Sequence, residues 1–154
     1  MKITPTVEGG LRIDAEDAGD WFLLLGITRD AAGNDEKLAQ RLGALITDEE
    51  LSADWQDIVV PELEAEFHSD LAHVAGAIRE AEGGGGKRLW ITREDAWHWY
   101  SALNQARLAL HEIHHFQSTD EISPADLEPG IRNAFLRSQF YCAFQSLLLD
   151  HVMR

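Results

Sequence analysis

The chain has 154 residues, which suits one domain spanning 1–154 with a core large enough to stand without disulfides. A hydrophobic fraction of 45% with five Trp argues against disorder, and no apolar run reaches the roughly 18 to 20 residues needed to cross a bilayer. The formal net charge of −14 repels phosphate backbones and anionic membranes, and the densest basic spots, Lys87-Arg88 and the trio Arg132, Arg137 and Arg154, form no stripe.

Neither nucleic acid nor a membrane is therefore an expected partner. Cys142 is the single cysteine and the N-terminus lacks a basic-then-apolar leader, so the expected location is the cytoplasm.

In chain order, residues 2–7 (KITPTV) and 11–13 (LRI) flank Glu8-Gly9-Gly10 and predict a hairpin, with Pro5 suited to an edge strand. Asp14 is the expected cap of a helix bearing Ala18, Trp21, Phe22 and Leu25 at helical spacing. Residues 29–34 read as a loop. A second helix should then carry Leu38, Leu42, Leu45 and Ile46 on one face. Thr47 and Glu50 have capping-box spacing ahead of Leu51, Trp55, Ile58 and Val59, and Pro61 should end that helix or start the next. Leu63, Phe67, Leu71, Val74 and Ile78 define a long amphipathic helix ending before the glycine run 83–86.

Lys87 after that run invites a phosphate-loop reading. Ala81 stands where the first loop Gly belongs and Arg88 where a Ser or Thr would hold magnesium, and residues 88–91 (RLWI) look like a strand. The run is therefore read as a helix end. Thr92 and Asp95 then box a helix carrying Ala96, Trp99, Tyr100, Leu103, Ala106, Leu110 and Ile113. The last helix, about 131–152, is apolar on most sides and is expected at the buried centre.

One internal similarity links Leu11–Leu25 to Leu89–Leu103. Leu, Ile, Glu, Asp, Ala, Trp and Leu recur in register, and Asp14 matches Thr92. Each copy is a strand running into a capped helix, so both strands are expected in one small sheet. The expected class is mainly α (α+β): about five helices around the buried C-terminal one, with a sheet from the N-terminal hairpin and residues 88–91.

The stretch Trp99-Tyr100-Ser101-Ala102-Leu103-Asn104-Gln105-Ala106-Arg107-Leu108-Ala109-Leu110 resembles the signature of a bacterial family, domain of unknown function 2017. The strand and capped helix before it, the N-terminal strand and helix, and the apolar last helix are similar as well, whereas residues 30 to 60 show little likeness. The resemblance implies a mainly helical fold with a small sheet and implies no activity. The histidines that follow are not part of the family pattern.

His111-Glu112-Ile113-His114-His115 matches H-E-x-x-H. On a helix, His111 and His115 lie one turn apart and can share a zinc ion, with Glu112 polarising a bound water. The extended motif would place a glycine and a third histidine where Ser118 and Glu121 stand, and Glu121 and Glu128 fall too close in sequence to act as a downstream ligand. Zinc-dependent hydrolysis is thus the alternative reading, and no cofactor is the leading one. Arg107 and His114 fall on the apolar stripe, so they are expected as a buried structural polar pair, Arg107 meeting a carboxylate or backbone oxygens. Cys142 reads as a small core residue. Trp97 and Leu108, with Asn104 and His111, fall on an adjacent flank and are the interface candidates. The leading function is a non-enzymatic interaction or regulatory module, its partner another protein or a second copy of the chain.

Overall fold

The computed structural model describes residues 1–33, 38–116 and 123–154. Strands β1 (Lys2–Pro5), β2 (Leu11–Asp14) and β3 (Arg88–Ile91) form an antiparallel sheet in the order β1-β2-β3. Pro5 lies on an edge strand, where its missing N–H costs no ladder bond. Strand alternation sends Leu11, Ile13, Leu89 and Ile91 into the core and leaves Arg12, Asp14, Arg88 and Trp90 on the outer face.

The internal similarity has a structural counterpart. The β2–β3 register pairs Leu11 with Ile91, Arg12 with Trp90 and Ile13 with Leu89, so equivalent residues of the two copies pair crosswise about Arg12–Trp90. Each strand feeds a helix, α1 (Ala18–Ala31) after β2 and, in the second copy, a longer helix at Ala96–His114, and these two helices pack together. The caps differ. Thr92 and Asp95 close a capping box: the Thr92 hydroxyl accepts from the Asp95 amide at 3.3 Å, and the Asp95 carboxylate accepts from the Thr92 hydroxyl at 2.8 Å. Asp14, expected to cap α1, stays in β2, and Asp17 is the cap, accepting from the Asp20 amide at 3.0 Å. Phe22, expected on the buried face, is 63% exposed and lies under the Arg29 guanidinium at 4.3 Å.

The middle of the chain departs most from expectation. Helix α1 continues to Ala31, so a helix occupies the start of the expected 29–34 loop, and Asn34 lies outside the described residues. Helix α2 is only Leu38–Leu42. Gly43 breaks the run beside the Trp55 ring, and Leu45 turns to solvent. Asp48, rather than Thr47, caps α3 (Glu49–Asp54), accepting from the Leu51 amide at 3.0 Å. Pro61 lies in the first turn of the long helix Val60–Gly83, as expected of a helix start, and the helical course runs through it without a break. A π turn (Trp55–Val59) carries α3 into α4 (Val60–Gly83), and the Val60 amide reaches back to the Trp55 carbonyl. The wider turn makes room for a ring that would clash in a regular helix. Helix α4 ends at the glycine run as expected, and Gly85 takes the left-handed conformation with φ 69°.

The longest helices are α4, α5 (Ala96–His114) and α6 (Pro129–His151). Among the described residues, counting the continuous α3–α4 stretch as one, five α-helical bodies accompany the sheet. The centre is α5, which packs on α1, α4 and α6. This corrects the expectation for the C-terminal helix. In α6 the residues Ile131, Leu136 and Leu149 face solvent, whereas Ser138 and Gln145 are buried. Helix α5 instead presents Ala96, Ala102, Ala106 and Ala109 inward, side chains small enough to admit three neighbours closely.

A polar clamp ties α1 to α6. Asp30 is only 8% exposed. Its carboxylate accepts from Arg137 Nε at 2.8 Å and Nη2 at 3.1 Å, and from the Tyr141 hydroxyl at 2.6 Å. Gly26 leaves room for this: a Cβ there would lie 3.2 Å from the Tyr141 oxygen. Burial first, then the bond to Asp30, pushes the Tyr141 hydroxyl far above its ordinary value, so it stays a donor throughout the working pH range. Arg137→Ala would strand the buried carboxylate and should cost about 3 to 5 kcal/mol in urea denaturation. A loss under about 1 kcal/mol would show that water replaces the guanidinium.

Candidate functional site

Because α1, α4 and α6 cover three sides of α5, one flank stays open. Trp97 begins it, 63% exposed, with its ring stacked on Tyr100 at 6.0 Å and 15°. Helical spacing continues the flank through Asn104, Leu108 and His111, all half-buried. Leu108 lies at the far end, in a shallow groove with Leu38, Arg41, Leu42, Ala44 and Glu112, and its carbonyl is reached by Arg41 Nη2 at 3.5 Å. Helix α2 thus shields the Leu108 end, and the Trp97 end is the free one.

The helix ends within the H-E-x-x-H match. Helix α5 ends at His114, and His115 adopts the left-handed conformation (φ 51°, ψ 46°), its amide bonding the His111 carbonyl at 2.8 Å. His115 therefore closes the last turn as its left-handed cap rather than as a helical residue, which corrects the expected helix across the whole motif. His111 meets Phe116 edge-on at 5.5 Å, and His114 stacks on the same ring at 5.4 Å. Phe116 in turn contacts Phe135 of α6 at 5.5 Å. The imidazoles pack an aromatic cluster, and Glu112 is exposed. Among the described residues, no three His, Cys, Asp or Glu side chains gather into a metal-ligand set. Ser118 and Glu121 lie outside the described residues.

Arg107 and His114, expected as a buried pair, are half-buried and serve different neighbours. Arg107 Nη1 donates to Gln145 Oε1 at 2.6 Å, and Gln145 Nε2 donates to the Tyr100 carbonyl at 3.3 Å. The partner is thus a side-chain amide rather than a carboxylate or backbone oxygen, because α6 presents Gln145 there. Arg107 Nε is buried and has no hydrogen-bond partner among the described residues. Cys142, read as a core residue, is half-buried.

Periodicity gave no sign of a second histidine pair. His73 of α4 and His98 of α5 stack at 4.3 Å and 22°. His98 Nδ1 lies 2.7 Å from Asp70 Oδ1, and His73 Nε2 lies 3.1 Å from Asp95 Oδ1. Asp70 belongs to α4 and Asp95 is the residue just before α5, so the pair cross-links α4 to the start of α5. The available signal was the i, i+3 spacing of Asp70-His73 and of Asp95-His98, which puts an acid and an imidazole on one face of each helix. Burial acts to raise the Asp95 carboxyl, but bonds from the Thr92 hydroxyl and amide, with His73 beside it, hold it below its ordinary 3.8.

The family described as Domain of unknown function (DUF2017) matches residues 6–152, and the chain belongs to it. No curated protein and no solved structure matches the chain significantly.

Two variants test the polar contacts. Arg107→Ala leaves Gln145 Oε1 without its donor and also removes a buried unpaired N–H, so it should cost about 1 kcal/mol in denaturant unfolding. A cost of about 3 kcal/mol would instead indicate a buried ionic partner. Asp95 has a lowered folded-state pKa, so its contribution is present above its unfolded value and is lost as pH falls through the acid range. Asp95→Asn should therefore be less stable than wild type near neutral pH, and the gap should close below about pH 4. A gap independent of pH would show that the carboxylate charge contributes nothing.

Proposed function

We propose that this member of the DUF2017 family is a non-enzymatic cytoplasmic interaction module, and that a second copy of the chain covers the open flank of α5. The observation that carries the reading is Trp97, a large aromatic that is 63% exposed on the flank of α5 away from α1, α4 and α6 among the described residues. Trp and Tyr supply most interface hot spots, and the Trp97–Tyr100 stack offers both on one turn with Asn104 as polar rim. An isologous contact needs only one such self-complementary patch. The exposed Leu42, Leu45, Leu51 and Ile58 support the same class of function, since a surface this rich in apolar side chains suits protein contact. The lone Cys142 supports a reducing compartment, because one thiol makes no internal disulfide.

The net charge of −14 sets the electrolyte dependence: like-charged copies repel, and salt screens the repulsion. Sedimentation equilibrium should show a dimer in the micromolar range that tightens as salt rises to about 0.3 M, where the Debye length is well under about 8 Å. Trp97→Ala should weaken it at least about tenfold and leave the urea midpoint unchanged at protein concentrations well below the dimer's dissociation constant. A wild type that stays monomeric throughout, or a Trp97→Ala variant that dimerises equally well, refutes the reading.

A further inference from the structure

The outer face of the sheet gathers positive charge that is scattered in the sequence. The register sets Lys2 and Arg88 directly across from Asp14 on either side, and Arg12 across from Trp90. Arg12 grips Asp14 Oδ2 through Nε at 3.1 Å and Nη2 at 3.0 Å, and Arg88 Nε lies 3.3 Å from Oδ1. Two guanidinium groups thus hold one carboxylate, and Lys2 stands across from it in the register, in a chain whose net charge is −14. Beside them Trp90 is 53% exposed, with the Arg12 guanidinium 5.8 Å from its ring centre. Lys87, exposed and immediately before β3, adds a further positive charge at the rim.

We propose that this face binds an acidic segment of a partner protein. Carboxylates of the partner sit on Lys2 and the free edges of the Arg12 and Arg88 guanidinium groups, and an apolar side chain lies on the Trp90 ring. Charge complementarity selects the partner. Glu8 and Glu94 border Trp90 at the turn end of the sheet, but toward Lys2 and Arg88 Asp14 neutralises only one of three cations, so that end of the face keeps a local excess that carboxylates satisfy. A nucleic acid is disfavoured because its phosphates extend past the patch into the field of the acidic remainder, whereas a short peptide stays within a Debye length of the basic face. The surface shares no residue with the Trp97 flank, so it stands or falls apart from the self-association reading.

The test uses the full chain and two fluorescein-labelled probes, an eight-residue peptide alternating glutamate and leucine and an eight-nucleotide oligothymidylate. Fluorescence anisotropy at about 0.15 M salt should show saturable binding of the peptide and none of the oligonucleotide. Lys2→Ser combined with Arg88→Ser should weaken peptide binding about tenfold, and salt should then have much less effect on what remains. Both side chains are exposed, so this variant keeps the fold, and Trp90→Ala offers an independent loss of several-fold. Equal binding by wild type and the double variant overturns the proposal, and so does binding of the oligothymidylate as tight as that of the peptide.

Discussion

The structure depends on α5 being enclosed on three sides. Ala96, Ala102, Ala106 and Ala109 keep its surface low, and Trp99 and Leu103 fill the spaces between the helices packed on it. Trp99 has no solvent exposure and stacks on Phe144 of α6 at 5.8 Å, so the centre of the molecule is an aromatic contact between α5 and α6. A helix held in this way has little surface left over. Besides Glu112 and Ile113 near its C-terminal end, what remains among the described residues is the Trp97 flank, open at its N-terminal end and shielded by α2 toward Leu108.

The sheet obeys a second constraint of the same kind. Because β2 and β3 must bury Leu11, Ile13, Leu89 and Ile91, alternation forces the residues between them outward. The crosswise register of the two strand–helix copies then sets Arg12 against Trp90 and Asp14 against Arg88. The outer face is thus a by-product of core specification in its geometry, and its chemistry is set by which residues occupy the outward positions. The same pairing brings α1 against α5 and positions Asp30 for Arg137 and Tyr141 on α6.

Where sequence reading succeeded, the information was local or repeated. Three strands, the Thr92–Asp95 box, the end of α4 at its glycine run and the family signature over Trp99–Leu110 all follow from short-range patterns. Apolar content points to α6 as the centre, whereas packing places α5 there. Helix α6 has more large apolar residues than its neighbours can cover, and the alanines of α5 give a weak periodic signal although they permit the closest packing. Contacts such as Asp30–Arg137 and Arg107–Gln145 join residues far apart in the chain, and no spacing rule reports them. The exposure of Trp97 followed from its position off the apolar stripe. The departure of His115 from the helix did not, since a left-handed cap on a histidine has no strong residue signature. The basic sheet face was missed for a related reason: Lys2, Arg12 and Arg88 meet only once the register is known.

The most direct test of the Trp97 flank is fluorine NMR of protein labelled with 5-fluorotryptophan. The chain has five Trp, so five resonances are expected, assigned by single Trp→Phe variants. The account predicts that on raising the protein concentration the Trp97 resonance moves while that of buried Trp99 stays fixed. A Trp97 resonance that is insensitive to concentration while another tryptophan responds would contradict it and place the contact surface elsewhere on the molecule.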